Sequence, residues 1–167
     1  KIFIVEADCD RPYEGKFLSK LLNPEVTLWL NVSRTHSMNF EKVYRSRTFD
    51  SIEEAIAYEF GYFVEKTESL AIVNGRSELI NKQIRRSKCK VYKVFGEKNL
   101  KKYQINLVGT IFQFENDTYV FPYLLPKETS VSILMCFELL SYLGIHPDKN
   151  FLQFKLPPGR SSVFKGV

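Results

Sequence analysis

Histidine, tryptophan and cysteine are scarce: two, one and three residues in a chain of 167. Cys9, Cys89 and Cys136 lie far apart, and no C-x-x-C pair occurs. That spacing argues against a zinc ribbon or a disulfide framework and fits three thiols in a reducing compartment. His36 and His146 have no partners at ligand spacing, so no metal centre is expected from them. No apolar run approaches the roughly 18 residues of a membrane span, and a membrane partner is not expected. Internal repeats and low-complexity tracts are also missing, and no targeting segment is visible. The first residue is Lys rather than Met, which fits a processed or truncated product.

Aromatic residues are plentiful instead. Fourteen Phe and nine Tyr supply enough apolar area for a true core. The positive charge is unevenly placed. From Arg76 to Lys102, ten Lys and Arg face two acids, a net of +8, which leaves −3 for the rest of a chain whose total is +5. A basic block beside a near-neutral body suits a polyanionic partner, nucleic acid or ribonucleoprotein; a merely solvated face is the bland alternative.

Periodicity divides the chain. "KIFIVEAD" reads as a buried strand running into acids, and "YEGKFLSKLL" as a helix with Phe17, Leu18, Leu21 and Leu22 on one side. "VTLWLNV" is a second buried strand, and "EKVYRSRTF" a short extended piece. "DSIEEAIAYEFGYFVEKT" carries the strongest helical signal, with Asp50 or Ser51 as cap and Ile52, Ile56, Phe60 and Phe63 as its stripe. "SLAIVNG" is a strand ending in a turn, "SELINKQIRRS" a helix, and "KCKVYKVF" a strand with alternating Lys. Strands alternating with helices predict an α/β domain over residues 1–97, with a mostly parallel, Rossmann-like sheet and helices on both faces. Residues 98–167 form a C-terminal extension: a hairpin turning at Glu115-Asn116-Asp117, an apolar helix over "SVSILMCFELLSYLGI", and an extended tail barred from regular structure by Pro157-Pro158-Gly159. The extension packs on the domain or on a protein neighbour.

Glu6, Asp8 and Asp10 cluster where the first strand ends, and Glu53 and Glu54 open the long helix. Carboxylates meeting at one rim can hold Mg²⁺ or Mn²⁺ for phosphodiester hydrolysis. Acids at a helix start are equally simple complements of its dipole.

The ordered series "IVEADC", "VTLWLNVSRTH", "FDSIEEAIAYEFGYF", "AIVNGRSEL" and "INKQIRRSKCKVYKVF" resembles the NYN and related PIN-like ribonuclease domains over a little more than half the chain. The resemblance places the family's acids on Glu6, Asp8 and Glu53, and puts Arg76 where the family has an acid after the third strand. A guanidinium there repels a cation and pairs with Glu6 or Asp8 instead. A shifted alignment would make Glu78 the missing acid. On this reading the nuclease site is degenerate, a pseudo-nuclease with no bound cofactor, and Glu6, Asp8 and Glu53 are vestigial. The expected function is then non-catalytic RNA binding, or a structural place in a ribonucleoprotein, through Arg76, Lys82, Arg85, Arg86, Lys88 and Lys90. An intracellular assembly such as the mitochondrial ribosome fits the basic charge. The alternatives are a metal-dependent ribonuclease using Glu6, Asp8 and Glu53 with Mg²⁺ or Mn²⁺, and an α/β protein-interaction module.

Overall fold

The computed structural model describes all residues except 35, 36, 47, 147–150, 152, 154 and 156–167, and the Glu97 side chain. His36 and the Pro157-Pro158-Gly159 stretch therefore lie outside the described residues. The chain divides into two compact units, Lys1–Val94 and Phe95–Val167. Both strands-with-helices and an antiparallel sheet are present, so the class is mixed α/β.

The first unit is built on a parallel sheet of three strands in the order β1 (Val26–Trp29), β2 (Leu70–Asn74) and β3 (Lys90–Val94). β2 is central, which explains its unbroken apolar run: Leu70, Ala71, Ile72 and Val73 are all buried, as a strand covered on both faces requires. Ala71 and Val73 share a face with Trp29 and Val91. Helices α3 (Ile52–Lys66) and α4 (Glu78–Gln83) bring Ala57, Val64 and Ile80 into the same cluster. α3 starts at a Ser51 cap, with Glu54 reaching back to the residue before it. Ser51 Oγ accepts from the Glu54 amide at 3.1 Å, and Glu54 Oε2 accepts from the Asp50 amide at 2.9 Å. Ser51, rather than Asp50, is therefore the cap. α4 begins the same way at Ser77, whose Oγ accepts from the Ile80 amide, and then tightens into a 3₁₀ turn over Ile84–Arg86.

Three local expectations are corrected. Residues 1–10 form no strand, and Ile2, Phe3, Ile4 and Val5 are exposed. A parallel strand exists only when paired and covered, and among the described residues nothing pairs with this one. α1 (Glu14–Leu22) is helical as expected, but it turns Gly15 and Ser19 toward α3 and leaves Phe17 and Leu21 exposed. The reason is close approach: a Cβ on Gly15 would run into the Glu59 carbonyl oxygen, so the small residues mark the buried side. Finally, "EKVYRSRTF" is not extended. It holds α2 (Glu41–Arg45), after a 3₁₀ turn over Ser37–Phe40, with Arg45 donating to Glu41 Oε2 one turn away at 2.9 Å.

The second unit opens with the short α5 (Gly96–Asn99). An antiparallel sheet of β4 (Leu100–Asn106), β5 (Gly109–Phe114) and β6 (Asp117–Phe121) follows, and α6 (Thr129–Tyr142) closes it. The turn at Glu115-Asn116 is present, with Glu115 at φ 52°. The stretch before it is two strands rather than one. Asn106 Oδ1 accepts from the amides of Val108 and Gly109, an Asx turn that reverses the chain without a Gly at its centre. Phe112, Phe114, Tyr119 and Phe121 form the aromatic core of this sheet. Thr110, fully buried, donates to the Tyr123 carbonyl at 2.7 Å and accepts from the Leu125 amide at 2.8 Å. α6 ends where Gly144 takes a φ of 68°.

Candidate functional site

A parallel sheet delivers the loops after all of its strands to one rim, where ligands of open α/β folds bind. Here that rim is laced by hydrogen bonds. Asn74, the last residue of β2, donates from Nδ2 to the Leu30 carbonyl beyond β1 at 3.1 Å. Its Oδ1 accepts from the Arg76 amide at 3.1 Å. The Gly75 amide donates to the Val94 carbonyl at the end of β3 at 2.9 Å, and Asn81 Nδ2 donates to the Gly75 carbonyl at 2.8 Å. The Asn81 Oδ1 is buried with no hydrogen-bond partner among the described residues. Trp29 Nε1 donates to the Asn31 carbonyl at 3.0 Å, fixing the exit of β1. Thus Asn31, Asn74, Gly75 and Arg76 stand together at the carboxyl end of the sheet, and Arg76 is exposed there.

The acids do not converge as the sequence suggested. Glu6 and Asp8 are exposed in the extended N-terminal segment, and Asp8 accepts from the Cys9 amide at 2.8 Å. Glu53 is held by both nitrogens of an Arg34 fork. That hydrogen bond keeps its carboxyl below the ordinary carboxylate range. Glu54 is also held low, first by the Asp50 amide and then by Lys82. Among the described residues no group of three or more His, Cys, Asp or Glu is placed to hold a metal ion. Asp8, Asp10, Glu14 and Glu59 do surround the buried Cys9. Burial first, and these negative charges second, push its thiol up to about 12. Such a thiol is inert rather than nucleophilic.

The basic block separates into two kinds of residue. Lys82 Nζ donates to Glu54 Oε1 at 3.0 Å. Arg86 donates to Glu65 Oε2 from two nitrogens at 2.9 and 2.7 Å, to the Tyr58 carbonyl at 2.8 Å and to Gln83 Oε1 at 3.1 Å. Its guanidinium carbon lies 4.6 Å from the centroid of the Tyr58 ring and 4.3 Å from that of Tyr62. Arg86 is thus a clamp between α3 and the 3₁₀ turn that follows α4. Arg85, Lys88 and Lys90 are exposed. Cys89 and Val91 pack against the core between them.

The "AYEFG" stretch, one carrier of the nuclease resemblance, has a packing explanation. Ala57 is fully buried, Tyr58 stacks on Arg86, and Gly61 leaves room for that guanidinium. The sequence did hold a signal for the clamp: Tyr58, Tyr62 and Glu65 recur at spacings of four and three on one side of a helix.

No protein-family model and no curated protein matches the chain. Among solved structures it is similar to the MurF ligase of Thermotoga maritima in complex with ADP, with 22% identity and a TM-score of 0.68. The match covers 93% of this chain and 36% of that one, so the chain spans about a third of that ligase's length. At this identity the likeness concerns the fold. It overturns the NYN and PIN-like assignment and the pseudo-nuclease label with it; the RNA-binding, ribonucleoprotein and mitochondrial-ribosome readings lose the family support they drew on. The chain is similar, over nearly all its length, to one portion of a MurF ligase.

Proposed function

We propose that residues 1–167 belong to a ligase of MurF-like architecture and supply one wall of an adenine-nucleotide site at the carboxyl rim of β1, β2 and β3. The observation that carries this reading is the rim itself. Three parallel strands bring Asn31, Asn74, Gly75 and Arg76 to a single edge, and a solved relative of this fold was crystallised with ADP. In such folds ligands lie beyond the strand ends. Gly75 is buried, with its amide on Val94 and its carbonyl on Asn81, so the charge at this edge comes from the exposed Arg76, whose guanidinium geometry suits phosphate oxygens. Asn74 is already committed to Leu30 and Arg76, so its role is to fix the two loops relative to each other rather than to meet the ligand.

Thermal unfolding in the presence of ADP tests the proposal. A ligand at about ten times its Kd adds roughly 1.4 kcal/mol, a rise of a few degrees in Tm for a domain of this size. ADP is expected to raise the Tm of the parent and to leave that of Arg76→Glu unmoved. An unchanged parent, or an equal rise in the variant, overturns the assignment.

A further inference from the structure

A closed circuit of hydrogen bonds runs around the carboxyl rim of the parallel sheet. Arg34, in the loop after β1, grips Glu53 with Nε on Oε1 and Nη2 on Oε2. Glu54, the next residue of α3, accepts from Lys82 Nζ at 3.0 Å. Asn81, beside Lys82 on α4, donates to the carbonyl of Gly75, the neighbour of Arg76, at 2.8 Å. Asn74 donates to the Leu30 carbonyl at 3.1 Å, back in the loop that leads to Arg34. The circuit thus ties Arg34, Lys82 and Arg76 to one edge, together with Glu53 and Glu54. Resting on the nucleotide reading, we propose that Arg34 is a second phosphate-binding group of this edge, latched by Glu53 until a polyphosphate takes the place of the carboxylate.

Topology is the first argument. α3 leads directly into β2, so it runs antiparallel to the strand and starts at the end of the sheet where β2 finishes. Its 15 residues span about 22 Å, enough to cross the full height of the sheet. Glu53 and Glu54 lie in its first turn. The latch therefore stands at the ligand end of the sheet, not at the far end.

Shape is the second. A phosphate presents to a guanidinium the same pair of oxygens that a carboxylate does. Glu53 therefore occupies the edge of Arg34 that a phosphate would use. The two side chains are 64% and 28% exposed, and exposed ion pairs of this kind are weak enough to exchange. The Lys82 pair differs. Glu54 is only 17% exposed and also accepts from the Asp50 amide at 2.9 Å, so it is bound into the start of α3.

Charge is the third. Three cations of the circuit, Arg34, Lys82 and Arg76, stand with two acids, a net of +1. A polyphosphate carries more negative charge than that and is opposed by both acids. Releasing Arg34 from Glu53 turns one neutralised cation into a partner for the incoming anion.

Isothermal titration calorimetry with ADP and with adenosine tests the latch. Glu53→Gln keeps the shape of the side chain and leaves the Ser51 cap of α3 intact, so its circular dichroism should match the parent's. It is expected to bind ADP about threefold more tightly than the parent, the scale of an exposed ion pair. Adenosine, which lacks phosphate, should bind parent and variant alike. In an Arg34→Ala background Glu53→Gln should bring no gain. A gain that survives Arg34→Ala would make Glu53 a simple repulsive charge and overturn the latch. An equal gain for adenosine would place Arg34 against base or sugar and overturn it too. ADP binding that is lost in Arg76→Glu but unmoved by Glu53→Gln leaves the nucleotide reading standing and overturns the latch alone. A parent that binds no ADP removes both.

Discussion

The Arg86 guanidinium lies across Gly61, where a Cβ would stand 2.5 Å from its Nη1. The glycine sits inside a helix, where it costs about 1 kcal/mol relative to Ala. That cost is offset because the bare backbone admits a cation that joins α3 to the turn after α4. The guanidinium is gripped by Glu65 and by the Tyr58 and Tyr62 rings, whose centroids lie 4.6 and 4.3 Å from its carbon and 5.5 Å from each other.

Gly61→Ala is therefore expected to destabilise the protein, although Ala is the better helix former. The crowding term, roughly 1–3 kcal/mol, exceeds the propensity gain. Urea unfolding would show it as a lower midpoint. A midpoint equal to or above the parent's would mean that Arg86 swings aside freely. Arg86→Lys should not substitute for Arg86, since an ammonium offers no planar fork.

Ile72 and Lys90 bracket the scale of the sheet. Ile72 is fully buried in the central strand, and its truncation to Ala should cost about 2–5 kcal/mol. Lys90 is exposed on the edge strand, and Lys90→Ala should stay within about 0.5 kcal/mol. Equal losses at the two positions would contradict the strand order.

β2, α3 and the β5–β6 hairpin were legible because their signals are local: a continuous apolar run, a Ser cap with a 3.6-residue stripe, and a turn sequence between alternating residues. The N-terminal run was misread because Ile2 to Val5 has the composition of a strand but lacks neighbours, and pairing is not a property of the segment itself. α1 was misread in orientation. Its large residues suggested the buried side, whereas close helix approach selected Gly15 and Ser19. The basic block looked uniform in sequence, yet Arg86 and Lys82 are bound to Glu65 and Glu54, acids 21 and 28 positions earlier in the chain. Such long-range pairing leaves no mark in local charge. The rim at Asn74-Gly75-Arg76 was found from the strand-then-turn pattern, but the chemistry assigned to it was not.

The helix-start acids give the protein a definite acid response. Glu54 ionises below its ordinary 4.5 because the Asp50 amide and Lys82 favour the carboxylate, and Glu53 does so because of Arg34. A depressed folded value means their contribution is complete above about pH 4.5 and disappears as pH falls through the lower folded values. Urea midpoints measured from about pH 6 to about pH 3 should fall for the parent and fall less for Glu54→Gln. An identical slope in the variant would remove Glu54 from the acid transition.

Cys9 should resist alkylation in the native state. Its thiol is buried and raised to about 12, so almost none is thiolate at pH 8. Mass spectrometry after iodoacetamide treatment should find Cys9 unmodified in native protein and modified in urea. Native modification at the unfolded rate would show that the α1–α3 contact opens readily.

The nucleotide site is tested most directly by backbone amide shifts during an ADP titration of the 167-residue chain. Perturbations are expected only in the loops after β1 and β2, around residues 30–32 and 74–77, saturating with ADP and absent in Arg76→Glu. Shifts that map to the β4–β6 sheet instead, or no shifts at millimolar ADP, would contradict it.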